Sequence, residues 1–350
     1  MPTIDAITTA VPTHEIDQAT ARRFARTLFA GHFDDLDLRL SLFDNTGIER
    51  RYFTMPLEWF AVEHSLEEKN AAYIESATRL GADACVRLFE LAGISPAQID
   101  YIVYINTTGL ATPSIDARLI NTLNLRTDVR RTPIWGLGCA GGAAALSHAH
   151  HYAIGHPEHR VLIVAVELCG LTFMHDDFSR SNLVATALFG EGAAAVLVSG
   201  DYVHGGGPHI LATQSNFYPD SLDVMGWNIQ SRGLQVVFDR RIPDLVAENS
   251  ATELDVFLKQ NGLARDDIRC FLYHPGGKKV LDAYRTAYGT AEEAFRFSRE
   301  TLRDFGNMSS VTVLFVLERY LRERAVSEVG HCVVSALGPG FCSESLLIRG

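Results

Sequence analysis

Apolar residues along this chain come in short, nearly unbroken runs: 101–108 (YIVYINTT), 161–168 (VLIVAVEL), 193–200 (AAAVLVSG), 270–277 (CFLYHPGG) and 331–340 (HCVVSALGPG). Each is about strand length, and most end in polar or glycine residues, the pattern of strands buried on both faces. Between them lie helical patterns. The stretch 70–93 carries apolar residues at helical spacing and ends on Gly93, which suits a C-cap; 309–325 (SSVTVLFVLERYLRERA) predicts a second long apolar helix. Alternating strands and helices predict an α/β protein. The segment 199–209 (SGDYVHGGGPH) interrupts the pattern, and periodicity is weak from there to about residue 250. A boundary near 204 divides the chain into halves, 1–204 and 205–350, each with candidate reactive residues at the ends of buried strands, where open α/β sheets hold their sites.

Composition narrows the partners. With 350 residues, 47% hydrophobic and 21% charged, the chain has the material of a globular protein with a large core. A net charge of −11 without any run of lysine or arginine gives no footprint for nucleic acid or an anionic membrane. The first residues (MPTIDAITTAVPTHEID) lack a basic segment followed by an apolar one, and no stretch approaches the roughly 18 apolar residues of a membrane span. A cytoplasmic protein without membrane insertion is expected. The six cysteines (85, 139, 169, 270, 332 and 342) form no C-x-x-C pair, so neither a zinc site nor a compact disulfide framework is indicated. They read singly, as thiols.

Cys139 sits between a plausible strand and turn (TPIWGLG) and a plausible helix (AGGAAALSHAHHYA). At a helix N-terminus the backbone N–H groups and the helix dipole favour the thiolate and lower the thiol pKa. A cysteine among glycines and alanines is equally a small buried hydrophobe. Two distant segments bear on the choice. FLYHPGG puts His274 at the end of an apolar run, and FGNMSSVTVLF puts Asn307 just before a long apolar helix. Each alone reads as well as a buried histidine or a loop residue. Together Cys139, His274 and Asn307 make a set for acyl transfer, in which a thiolate attacks a thioester and neutral donors stabilise the oxyanion. A papain-like hydrolase uses the same three types in the same order, but Cys139 lies far from the N-terminus and lacks that family's surrounding signature. The histidine-rich stretch HAHHYAIGHPEH (148–159) offers no clean helical pair with a carboxylate, so it is read as a solvated helix end and no metal site is expected.

GLGCAGG, ELCGLTF, ALFGEGAAAVLV, HPGG, GNMSS and GPGF occur in the order and approximate spacing of the chalcone synthase-like, or type III, polyketide synthases. The resemblance spans the whole chain and, through TGLATPSIDARLIN and IWGLGCAGG, is greatest to bacterial alkylpyrone and alkylresorcinol synthases. It implies a thiolase fold, two similar α/β halves in a five-layered αβαβα sandwich, assembled as a homodimer. Carried over by motif, Cys139 is the acyl-carrying nucleophile, and His274 and Asn307 serve decarboxylation and the oxyanion. An acyl-CoA starter would load on Cys139 and be extended by malonyl-CoA, then closed to an alkylpyrone or alkylresorcinol, with no cofactor beyond the CoA thioesters. Each oxyanion donor contributes about 3 kcal/mol to such a transition state. A single condensation of the ketoacyl synthase III type is the alternative.

The same resemblance marks Phe189 as a gatekeeper between CoA tunnel and inner cavity, and Thr108, Cys169 and Trp227 as pocket walls. Thr112 would cross the dimer interface. Glu167 is expected buried, with structural, water-organising and catalytic roles all open. Gly276, Gly277 and Ser309 fall in the HPGG and GNMSS motifs, and Gly338, Pro339 and Gly340 in the loop that scaffolds the cyclisation pocket. One departure stands out. Where plant relatives carry basic residues that grip CoA phosphates, this chain has Leu38, Ser41 and Asn45, leaving Arg39, Arg50, Arg51, Lys278 and Lys279 as substitutes and an acyl carrier protein as an alternative donor.

Overall fold

The computed structural model describes residues 1–323 and 330–350. Among them the strands are β1 (Thr3–Ala10), β2 (His14–Asp17), β3 (Arg50–Phe53), β4 (Tyr101–Asn106), β5 (Arg130–Trp135), β6 (Arg160–Leu168), β7 (Glu191–Ser199), β8 (His209–Phe217), β9 (Met225–Gln230), β10 (Gly233–Phe238), β11 (Ile268–Tyr273), β12 (His331–Gly338) and β13 (Cys342–Arg349). The helices are α1 (Gln18–Leu28), α2 (Leu36–Leu40), α3 (Leu66–Ala92), α4 (Ile115–Leu123), α5 (Gly141–Gly155), α6 (Arg180–Leu188), α7 (Ile242–Gln260), α8 (Lys278–Tyr288), α9 (Arg296–Phe305) and α10 (Thr312–Glu323). All five predicted strands are present. The predicted helix over 309–325 opens with a 3-10 turn (Ser309–Val311) before α10, and its residues 324 and 325 lie outside the described residues.

Nine strands are hydrogen-bonded in the order β11-β12-β13-β8-β1-β7-β6-β4-β5. A single register pair, Thr3 with His209, joins β1 to β8, so the sheet divides there into parts of five and four strands. Both parts contain two parallel strands followed by an antiparallel one, β4-β6-β7 and β11-β12-β13. Helices α5 and α10 fill the layer between them, in one core that takes Ile163 and Val196 from one side and Leu272 and Val334 from the other. Helices α3 and α4 cover the outer face of the first part, and α7 and α8 that of the second. This is the five-layered thiolase arrangement.

Local chemistry explains the elements that carry it. Helix α3 starts on a capping box, Ser65 with Glu68, and stops at Gly93 in the left-handed region at φ 63. Strands β6 and β7 are buried almost end to end, as continuous apolar runs require. Helix α5 is glycine- and alanine-rich because the central layer is narrow. A Cβ on Gly142 would lie 2.2 Å from the Ser310 carbonyl oxygen and 2.7 Å from Val313, so only glycine lets α5 meet α10 at this point.

Two expectations are corrected. The weakly periodic stretch to residue 250 is ordered as β8, the hairpin β9–β10 and the start of α7; the hairpin forms its own two-stranded sheet, and its burial fades along β9 without alternating, which leaves little period to read. The histidine cluster is not all surface. His150 points inward on α5 and is buried, which pushes its pKa down to about 4, whereas His148 and His151 are exposed.

Candidate active site

Cys139 lies on a 3-10 turn (Gly138–Ala140) that runs straight into α5, half-buried at the N-terminal end of that helix. The turn is pinned from two sides. The Gly138 N–H donates to Thr107 Oγ1 at 3.1 Å, and the loop after β12 presses on it so closely that a Cβ on Gly338 would lie 2.4 Å from the Leu137 oxygen and one on Gly138 2.5 Å from Pro339. Gly338 and Pro339 therefore hold the cysteine turn in place, whereas Gly340, at φ 76, lies against Phe217. The Sγ of Cys139 donates to Ser309 Oγ at 3.7 Å, and both Ser309 and Asn307 favour its thiolate. Burial outweighs them and pushes the thiol up to about 12. The lowering expected from the helix terminus is overturned because desolvation of the charge, invisible in sequence, is the larger effect.

Asn307 is fixed by its own backbone and side chain. Its N–H donates to the Leu188 oxygen, its carbonyl accepts from the Gly190 N–H, its Oδ1 accepts from the Ser309 N–H at 2.8 Å and its Nδ2 donates to the Gly276 oxygen at 3.2 Å. Ser309 holds φ 48, unusual for a residue with a Cβ. The Gly276 contact links Asn307 to His274, which follows β11 and whose N–H donates to the Ser335 oxygen. His274 is buried, both ring nitrogens lack a hydrogen-bond partner, and burial lowers its pKa to about 3. A neutral buried imidazole with no partner among the described residues can hydrogen-bond a substrate or exchange a proton with it. Gly277 ends the same loop as the N-cap of α8, and a Cβ there would lie 4.0 Å from Leu188.

Glu167 forms the floor behind the turn. It is fully buried; Oε2 accepts from the Thr107 N–H at 2.9 Å and the Thr108 hydroxyl at 2.8 Å, and Oε1 accepts from the Ser310 hydroxyl at 2.5 Å. Burial raises its pKa to about 7 against these donors. Thr108 also accepts from the Leu168 N–H, so its hydroxyl serves this network and Thr108 is absent from the lining of the cavity. Thr107 and Ser310 were missed in the sequence, where a threonine and a serine beside named motif residues carry no separate signal.

The cavity lies beyond Phe189. It is walled by Cys169, Phe189 and Trp227 and further by Phe24, Phe53, Phe60, Phe173, Met174, Leu234 and Val236, with polar Thr172, Asp177, Asn182, Thr186 and Gln235 also at its edge. Phe189 separates it from Asn307, with which it shares a backbone bridge. The Cys169 thiol is fully buried, lines the cavity and is pushed far up by that burial. The β9–β10 hairpin roofs the cavity, held at its tip by Arg232 against Asp176 and by a Gln235 Nε2 to Asp177 Oδ2 bond of 3.2 Å. Below it, Lys69 Nζ donates to the Phe173 oxygen at 2.7 Å.

Two other expectations resolve differently. Arg51 cannot grip a surface phosphate: its guanidinium is buried, donating to the Thr186 and Phe189 carbonyls and to Gln18, and desolvation lowers its pKa to about 9. Arg39 and Arg50 are engaged by Asp35 and Asp304, while the Lys278 side chain passes beside Gly47. Thr112 is exposed and joins no part of the site within one chain. Cys270 and Cys332, read singly from the sequence, are in contact.

Residues 1–202 match the family described as "Chalcone and stilbene synthases, N-terminal domain", and residues 203–350 match "Chalcone and stilbene synthases, C-terminal domain". The chain belongs to the chalcone and stilbene synthase family. It is a type III polyketide synthase, an acyltransferase. It is 41% identical to "Putative chalcone synthase" of Bacillus subtilis (strain 168), over 98% of this chain and 97% of that protein. It is 38% identical to the 1,3,6,8-tetrahydroxynaphthalene synthase of Streptomyces peucetius subsp. caesius, over 99% of this chain and 92% of that one. Among solved structures, the tetrahydroxynaphthalene synthase of Streptomyces coelicolor A3(2), a bacterial type III polyketide synthase, superposes with a TM-score of 0.94 at 30% identity, covering 99% of both chains. Among the described residues no helix is long and apolar enough to cross a membrane.

Proposed function

We propose that this synthase loads an aliphatic acyl group from a CoA thioester onto Cys139, extends it with malonyl-CoA and releases an alkylpyrone. The observation that carries the reading is the cavity behind Phe189, whose walls are mostly aliphatic and aromatic side chains suited to an alkyl chain, with a minority of polar ones such as Asn182 and Gln235. The Cys139 sulfur attacks the starter thioester, the C–S bond to CoA breaks, and CoA leaves as the thiol with the proton that Cys139 gives up. The neutral His274 imidazole takes that proton in transit. Malonyl-CoA then loses CO₂; the negative charge left on the thioester oxygen is met by N–H donors from His274 and the Asn307 amide. The enolate carbon attacks the Cys139-bound carbonyl, forming a C–C bond and expelling the Cys139 thiolate. After two extensions an enol oxygen attacks the thioester carbonyl, expels the thiol and closes the triketide pyrone; a third extension, aldol closure with loss of water, and hydrolysis of the thioester with loss of CO₂ give a resorcinol.

The dimer of the family is part of the proposal. Strand β5 ends the nine-stranded sheet with its outer edge unpaired, and Trp135 at its end and Leu110 beside Thr112 are 42% and 43% exposed. A second copy placed on this edge covers both and receives Thr112.

Incubation with malonyl-CoA and a series of acyl-CoAs, followed by mass spectrometry, tests the reading. Alkylpyrones formed from the added starter are expected, with none from Cys139→Ala. Aromatic products formed from malonyl-CoA alone, with acyl-CoAs ignored, would overturn the aliphatic starter.

A further inference from the structure

Two of the six cysteines lie side by side, away from the site just described. Cys270 on β11 and Cys332 on β12 are register partners on adjacent parallel strands, and their sulfurs are 2.9 Å apart, inside ordinary van der Waals contact. Neighbouring strands run about 4.8 Å apart, which falls within the Cα separation of about 4.4–6.8 Å that a disulfide spans. Both side chains leave the same face of the sheet, toward the central layer, where they pack with Leu272, Val334 and Tyr320. Both are free thiols. The pair is also polarised: Cys270 donates to Cys332, which with Tyr320 holds the Cys332 thiol below its usual range and raises that of Cys270. Strand β11 is the edge of the sheet; Cys270 is 6% exposed and Cys332 fully buried, so oxidation requires a small oxidant to enter from the Cys270 side.

We propose that Cys270 and Cys332 form an oxidisable dithiol that a peroxide converts to an intrachain disulfide. The Cys332 thiolate attacks one peroxide oxygen, the O–O bond breaks, and the departing hydroxide takes up a proton to leave as water, giving a sulfenic acid. The Cys270 sulfur then attacks the Cys332 sulfur and displaces the hydroxyl as a second water. In sum two thiol hydrogens and two electrons pass to one hydrogen peroxide, yielding one S–S bond and two waters. The bond fastens together the strand that delivers His274 and the strand that delivers Gly338 and Pro339 to the cysteine turn.

The test uses the reduced full-length protein with hydrogen peroxide, glutathione being present in the same tube as a reference thiol. Samples are quenched with iodoacetamide, digested and mapped by mass spectrometry. A peptide pair linked through Cys270 and Cys332, two hydrogens lighter than its parts and separated by dithiothreitol, is expected before most of the glutathione is oxidised. Recovery of both residues as alkylated thiols after the glutathione is consumed overturns the proposal, as does linkage of either to a different cysteine. In Cys270→Ser, dimedone should trap a sulfenic acid at Cys332. Trapping at Cys270 in Cys332→Ser, with none at Cys332 in Cys270→Ser, overturns the assignment of the attacking sulfur.

Discussion

Cys139 and His274 are each held neutral by the same force. Burial pushes the thiol up to about 12 and the imidazole down to about 3, so either charge alone is costly. In the proposed reaction, thiolate and imidazolium formed together would supply one another's counter-charge, which would make the proton transfer a property of the pair. In His274→Gln the thiol loses that partner while Ser309 and the helix terminus remain. The expected result is an alkylation profile for Cys139 displaced upward in pH, with slower labelling by iodoacetamide at pH 7 than in the wild type. Identical profiles in the two proteins would separate the residues. Cys139, His274 and Asn307 were legible in the sequence because each sits in a distinctive motif. The thiol's raised pKa was not, since it comes from walls contributed by distant segments, and neither were Thr107 and Ser310, whose roles exist only through Glu167.

At the scale of elements, the runs that read clearly were those whose environment is uniform: β6 and β7, buried almost throughout, and the end of α3 at Gly93, although its start at the Ser65 capping box lies before the predicted residue 70. The hairpin β9–β10 escaped notice because its inner positions face a cavity and its outer ones face solvent, with glycines at both Gly226 and Gly233. Helix α5 shows how finely the central layer is fitted. Gly142→Ala places a Cβ against the Ser310 backbone and should destabilise the protein by about 1–3 kcal/mol, the scale of overpacked cores. Gly155, at the far end of the same helix, has nothing within 4 Å of an added Cβ. Gly155→Ala should be neutral or stabilising by up to about 1 kcal/mol. Urea unfolding of both variants checks the contrast, and equal midpoints would show that the α5–α10 contact is looser than its geometry.

At the scale of the whole molecule, the sheet has two ends of different character. At one end β11 lies beside β12 under α9 and α10; at the other β5 presents alternating exposed positions along an open edge. Light scattering should give twice the chain mass for the wild type, and Trp135→Glu, which sets a charge into the proposed contact on each copy, should shift the distribution toward the single chain. A wild-type protein that remains a single chain at micromolar concentration would refute the proposed dimer.

The hairpin roof has a consequence for how such an enzyme can change. The floor under Cys139 is interlocked, with Gly138, Gly338 and Ala140 leaving no room for another atom, so a substitution there disturbs the nucleophile itself. The β9–β10 hairpin makes no strand pairing with the main sheet and is fastened at its tip by contacts such as the Arg232–Asp176 ion pair. Its inward residues, Trp227, Leu234 and Val236, can be exchanged for larger or smaller ones while the reacting atoms stay where they are. New product sizes are therefore accessible by remodelling the lid, with the chemistry inherited unaltered.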